Sequence, residues 1–306
     1  MKMRKEFLTA GLKLLTGLAA VVVSSSALAL YVEEFAIGNW SSATCDPNPV
    51  DDRGAWPGMA DAWYNQMGAL GHFKAGRWVD GFMTKRHECD PLYNVDCLDY
   101  WSPGGYGYDW ADAAIAAYHG THVGTHYWAG LQRYSFFGDG DCWVRAGDSG
   151  QTYFGDQWLK FFIASSCFSA DASTLGNIRL AMAKPGSTQR SHQWDGFHGI
   201  MWINGSFNGN YQSTAWDGHF VPISTAWVTN HHKKGQFDCA AYDPFNWFGT
   251  CKDQCPIAYS IGTNGTDALN RLLNERYNFV FGSPGGNSGY AWMYYPGCKP
   301  LGSPPL

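Results

Sequence analysis

Charge is scarce in this chain: Asp, Glu, Lys and Arg together make up 15 % of its 306 residues, and the net charge is −5. The longest basic cluster is His231-His232-Lys233-Lys234, far short of the basic footprint that nucleic acid requires. Long apolar runs are also missing after the first thirty residues. None approaches the ~18 residues of a membrane-spanning helix. No internal repeat or low-complexity tract is present, which excludes a solenoid or a compositionally biased linker protein. No His-Glu-x-x-His occurs, so the commonest zinc-hydrolase signature is absent.

Aromatic residues and glycine are plentiful instead, with 15 Trp, 17 Tyr, 18 Phe and 37 Gly. Their plainer role is to fill the core of a loop-rich fold. An aromatic binding surface, as in carbohydrate binders, is the alternative. The N-terminus reads as a targeting segment. Lys2, Arg4 and Lys5 precede an apolar run from Leu8 to Val23, and Ala27-Leu28-Ala29 offers a small-x-small cleavage site. This pattern predicts a signal peptide over 1–29, and a mature chain that is secreted or periplasmic with no membrane association.

Nine cysteines cannot all pair in an oxidising compartment. Cys45, Cys89, Cys97 and Cys142 lie in polar, loop-like sequence, and Cys239, Cys251, Cys255 and Cys298 in a Gly/Pro/Asn-rich tail. Four disulfides are expected, two within each group. Cys167 alone ends an apolar run, Leu159 to Ala164, and is the expected free thiol. Zinc is a rival for Cys251-x3-Cys255, with a disulfide staple preferred in this compartment.

Along the chain, Tyr31–Ile37 reads as a strand and Gly58–Leu70 as an amphipathic helix, with Met59, Ala60, Trp63, Met67 and Leu70 at helical spacing. Strands are expected over Arg77–Phe82, Ala113–Tyr118, Trp158–Ala164 and Gly199–Asn204, and helices over Leu175–Ala183 and Asp267–Tyr277. The alternation predicts an α/β fold with a mostly parallel sheet. Residues 30–233 form its main domain. Residues 234–306 are a loop-rich, disulfide-stapled C-terminal extension packed on that domain.

Two of the apolar runs stop at reactive residues. One gives AAIAAY-His119-Gly120 and the other WLKFFIASS-Cys167, 48 residues later. Side chains just beyond the carboxyl ends of parallel strands line the ligand crevice of an open sheet. His119 and Cys167 should therefore share one rim, and Gly120 allows close backbone approach there. His119 should also favour the Cys167 thiolate and lower its pKa.

A hydrophobic block ending in His-Gly followed by one ending in Cys resembles the caspase/gingipain/clostripain-like (clan CD) cysteine peptidases. It also resembles a bacterial family of secreted caspase-like proteins. YVEEFAI, the helix around Trp63, the Asp109/Asp112 approach to His119 and Phe197-His198-Gly199-Ile200-Met201 extend the resemblance over about residues 30–230. Tyr118 departs from the pattern of many of these peptidases, which have Gly or Ser before the His-Gly. The resemblance implies a caspase-like three-layer sandwich. It implies Cys167 as nucleophile, His119 as proton donor, an oxyanion and substrate site at Gly120, Ser166 and Cys167, a peptide or protein substrate, and neither metal nor cofactor.

Two other readings stand beside it. A non-catalytic extracellular binding or structural protein would keep the same strands. A metal hydrolase would use His119-x2-His122-x3-His126, with His198 and His219 as further donors, although Gly120, Gly124, Thr121, Val123 and Thr125 disfavour the helix that would align them. Asp109 and Asp112 read as structural residues at a strand entry. Asn204-Gly205-Ser206 and Asn264-Gly265-Thr266 match the glycosylation acceptor pattern.

Overall fold

A computed structural model describes residues 29–40, 52–95, 97–98, 107–132, 142–147 and 151–306. The expected signal peptide, apart from Ala29, and Cys45 lie outside the described residues. Among the described residues no helix is long and apolar enough to cross a membrane.

The fold is mixed α/β around a mostly parallel sheet. Five strands run parallel in the order β2 (Phe73–Val79), β1 (Tyr31–Ala36), β3 (Ala113–Ala117), β7 (Phe161–Ser165) and β8 (Gln193–His198). β10 (Lys252–Gly262) joins β8 antiparallel, and β11 (Gly289–Met293) and β9 (Lys233–Phe237) pair with β10. A separate antiparallel sheet is made of β4 (His119–Val123), β5 (His126–Gly130) and β6 (Trp143–Arg145).

β3 and β7 are buried at every position, as parallel strands covered on both faces must be. Alternation sends Ala113, Ile115, Ala117, Phe161 and Ile163 to one face and Ala114, Ala116, Phe162 and Ala164 to the other. Four helices cover the first face: α1 (Trp56–Ala69), α3 (Asn208–Phe220), α4 (Ile223–His231) and α5 (Gly265–Asn274). α1 buries Trp56, Met59, Ala60, Trp63 and Met67 at helical spacing, with Pro57 in its first turn. The second face meets Tyr127, Ala129, Val144 and the short α2 (Leu175–Ala181).

The strand expected at Arg77–Phe82 begins earlier, at Phe73. The strand expected at Gly199–Asn204 does not form; the sheet takes Gln193–His198 instead. Gly199 has φ +76° and ends that strand, and the Ile200 amide donates to the Leu301 carbonyl at 2.8 Å. The region after Lys234 is not a loop-rich extension. It supplies the eleven-residue β10, almost wholly buried beside β8, so the boundary at 233/234 cuts through one sheet.

Three disulfides, Cys89–Cys97, Cys239–Cys251 and Cys255–Cys298, respect the two expected groups. Cys142 is also disulfide-bonded. Cys167 is the free cysteine among the described residues. Such pairing fits an oxidising, extracellular or periplasmic setting.

Candidate functional site

β3 and β7 run in register from Ala113↔Phe161 to Ala117↔Ser165. Both strands end level there: His119 opens β4 two residues beyond Ala117, and Cys167 lies in the turn two residues beyond Ser165. The sheet order also reverses direction between β1 and β3, the place where an open α/β sheet leaves a crevice at its carboxyl rim. His119 lies there, its ring 5.3 Å from that of Trp40 and 4.8 Å from that of Trp56. Trp56 belongs to the helix-side core and Cys167 packs against the same core. Trp40 belongs to the core on the other face of the sheet, so the His119 ring lies between the two layers at the rim.

Gly120 is pressed onto the Cys167 turn. A Cβ there would sit 2.4 Å from the Cys167 carbonyl oxygen, 2.7 Å from Ser166 Oγ and 2.9 Å from the Tyr127 ring. No side chain fits, so glycine is required by packing of the two rim loops. Ser166 faces the opposite layer, where its hydroxyl and that of Tyr127 lie 2.5 Å apart. Ser169 Oγ donates to the carbonyls of Ala164 and Ser166 and buttresses the turn from below.

Phe168, immediately after Cys167, has φ +57°. A bulky residue in the left-handed region is strained, and such strain collects at functional turns. Three contacts hold it. Its amide donates to Gly199 O at 2.7 Å, its ring stacks on His122 at 4.6 Å, and Gly302 packs against its far edge. Neither the strain nor its restraints leave any mark in the linear sequence.

The Cys167 thiol is half-buried and donates to Met201 O at 3.7 Å. Burial pushes the thiol above its ordinary pKa, while a backbone hydrogen bond at Met201 and the positive charge of Arg53 offset part of the rise. The sign is opposite to that expected from a His119–Cys167 ion pair. Arg53 was not visible as a site residue from sequence, because it lies in a loop before α1 and reaches the thiol only through the fold.

Behind this turn lies a buried polar group. Tyr108 donates to Glu88 Oε2 at 3.2 Å, and Tyr118 lies between the Glu88 carboxyl and the Tyr127 hydroxyl. Burial pushes the Glu88 carboxyl up to about 8, so at neutral pH it is mostly protonated and able to donate. Tyr118, the residue before His119, is thus fully buried beside this polar group.

The three-histidine cluster does not form. The segment is a β-hairpin with His119↔Gly130, His122↔Tyr127 and Val123↔His126 in register. His119 and His122 point to opposite faces, and His126 lies at the far end, roughly 13 Å along the ladder from His119. His198 is buried against Asp171 at 3.1 Å and near Pro304 O at 2.8 Å, and His219 meets His72 edge-on with ring centres 5.6 Å apart. Asp109 accepts from the Gly155 and Asp156 amides, and Asp112 accepts from Tyr31 N and pairs with Lys160. All of these serve structure. Among the described residues His232, Asp253 and Cys298 do converge with metal-like spacing, but Cys298 is bound to Cys255 and has no thiolate to offer.

Comparison with family models, with curated proteins and with solved structures finds no match to this chain.

Proposed function

We propose that this chain is a secreted, caspase-like cysteine peptidase that hydrolyses peptide bonds through a Cys167/His119 dyad. The observation that carries the reading is the β3/β7 register, which ends both strands level at Ala117 and Ser165, two residues before His119 and Cys167. The free thiol at Cys167 and the strained Phe168 beside it add to it. In the reaction the Cys167 sulfur adds to the scissile carbonyl and its proton passes to His119. His119 then protonates the departing amine as the thioester forms, and water releases the acyl group. The oxyanion would be met by backbone N–H groups of the Gly120 and Cys167 loops.

One observation favours a second reading, that of a non-catalytic binding protein on the same fold. Burial raises the thiol pKa, and a thiol that stays protonated is a poor nucleophile.

Labelling with a peptidyl acyloxymethyl ketone separates the two. A peptidase labels at Cys167, with turnover lost in Cys167→Ala and His119→Ala and with non-additive effects in the double variant. Peptide turnover that survives Cys167→Ala, or a folded chain that takes no label at Cys167, would refute the dyad.

A further inference from the structure

Residues 239–251 form a loop closed by the Cys239–Cys251 disulfide, at the end of the β9/β10 ribbon. Within seven residues it exposes four aromatic rings: Tyr242 at 71 %, Phe245 at 72 %, Trp247 at 80 % and Phe248 at 72 %. Side chains this exposed cannot be walls of a cleft; they stand on a projection. Exposed apolar clusters of this density mark contact surfaces.

The loop is rigid for its size. Asp243, the single charged residue between the two cysteines, is turned inward and 1 % exposed. Its carboxylate accepts from the amides of Phe248 and Thr250 and from the Thr250 hydroxyl at 2.8–3.1 Å. The Cys251 amide donates to Asn246 Oδ1 at 3.0 Å, and the amides of Asp243, Asn246 and Gly249 donate to carbonyls within the loop. Six backbone N–H groups are thus satisfied without water. That arrangement suits a medium where water is scarce.

Charge sorts along the ribbon. The tip presents rings and no outward charge, whereas the stem carries Lys233, Lys234 and Lys252, with Asp238 as its exposed acid. Asp253 on the same stem is buried, accepting from the Gly235 and Lys299 amides at 2.6 and 2.9 Å. The tip rings are not arranged as a flat platform: Phe245 and Trp247 are inclined by 32°, Tyr242 and Phe248 by 49°. Stacking on a planar sugar face would need a flatter surface. An aromatic tip above a basic collar matches the order of layers in an anionic bilayer, with acyl boundary below and phosphates above.

We propose that the Cys239–Cys251 loop is a membrane-surface anchor. It seats Tyr242, Phe245, Trp247 and Phe248 at the headgroup boundary of an anionic lipid surface, with Lys234 and Lys252 on the phosphates. This is peripheral contact, not a span, and it departs from the expectation of a mature chain with no membrane association. It is independent of the Cys167 chemistry.

Vesicle flotation of the full chain tests it, using phosphatidylcholine vesicles with and without roughly 30 % phosphatidylglycerol, at ionic strength of about 0.1 M. The chain floats with the anionic vesicles. Phe245→Ala/Trp247→Ala lowers partitioning at least about tenfold, since each ring contributes much of its burial free energy at the interface. Lys234→Glu/Lys252→Glu weakens binding and removes its salt dependence. Unchanged thermal melting and unchanged alkylation of Cys167 show that both variants stay folded. Failure of the wild-type chain to float overturns the proposal. Equal flotation with both vesicles, or flotation that survives the aromatic double substitution, does so too. A change of oligomeric state in the aromatic variant without lipid would instead assign the loop to a second copy of the chain.

Discussion

Cys167 sits where burial and charge pull in opposite directions. Burial raises its pKa, and Arg53 opposes that rise without cancelling it. Iodoacetamide should therefore alkylate the native chain slowly at neutral pH and faster with each pH step beyond 9. A plateau already reached at pH 7 would instead reveal a thiolate paired with His119. Arg53→Ala should slow alkylation at pH 8 several-fold, because only backbone hydrogen bonds then remain to oppose the effect of burial. Gly120 makes a second prediction at this scale. Gly120→Ala places a methyl against the Cys167 carbonyl, and backbone cannot step aside as a flexible side chain can. A loss of about 1–3 kcal/mol is expected in urea unfolding, with peptide turnover lost alongside. His119, Cys167 and Gly120 stand out as candidates in the sequence because each interrupts or ends an apolar run. Arg53, Phe168 and Met201 do not, since their relation to the thiol exists only after the chain has folded.

Strands and helices divide on the same line. β1, β3, β7 and α1 carry the periodicities that burial on one face or two demands, and all four appear where those patterns lie. α3 and α4 carry no such pattern. Asn, Ser, Thr and Gly dominate them, and they are helical because tertiary contacts with α1 and β10 repay the poor local propensity. β8 hides for a related reason: it buries Gln193, Asp195 and His198, with Gln193 donating to the Asp195 carboxyl at 2.8 and 3.0 Å. β10 was masked by its cysteine-rich setting. Its disulfide to Cys298 closes 43 residues of chain, for which the chain-entropy model gives about 4 kcal/mol. Cys255→Ser/Cys298→Ser should lower the urea midpoint accordingly. A loss well under ~1 kcal/mol would mean that pairing with β8 alone secures this strand.

For the whole molecule the buried ionisable groups set a pH profile. Burial pushes up the carboxyls of Glu33, of Glu34 to about 9, and of Glu88 and Asp195 to about 8. The folded chain holds these protons while the unfolded chain releases them above about pH 4.5. Their stabilisation is full below that point and is lost as pH rises toward 8 to 9. Buried histidines act oppositely: burial holds His72 and His87 down at about 4 and lowers His231, so they cost stability as pH falls below 6.5. The two sets offset one another in acid, and only the acids act above pH 6.5. Stability should therefore fall from pH 6.5 to 8, each acid contributing up to about 1.4 kcal/mol per pH unit. Urea midpoints across that range measure it. Glu34→Gln and Glu88→Gln should each flatten the slope, and a flat wild-type profile would mean that these carboxyls are not held neutral. Linear order by itself determined the α/β class, the parallel core strands, the grouping of the described cysteine pairs and the free thiol at Cys167. Apolar periodicity and residue counts are local properties that survive without coordinates. Tertiary structure alone decided that β10 joins the sheet beside β8, that His122 faces away from His119 while His126 lies at the far end of the hairpin, and that the thiol pKa rises. Each of those depends on which residues, distant in sequence, come to share a face or exclude water.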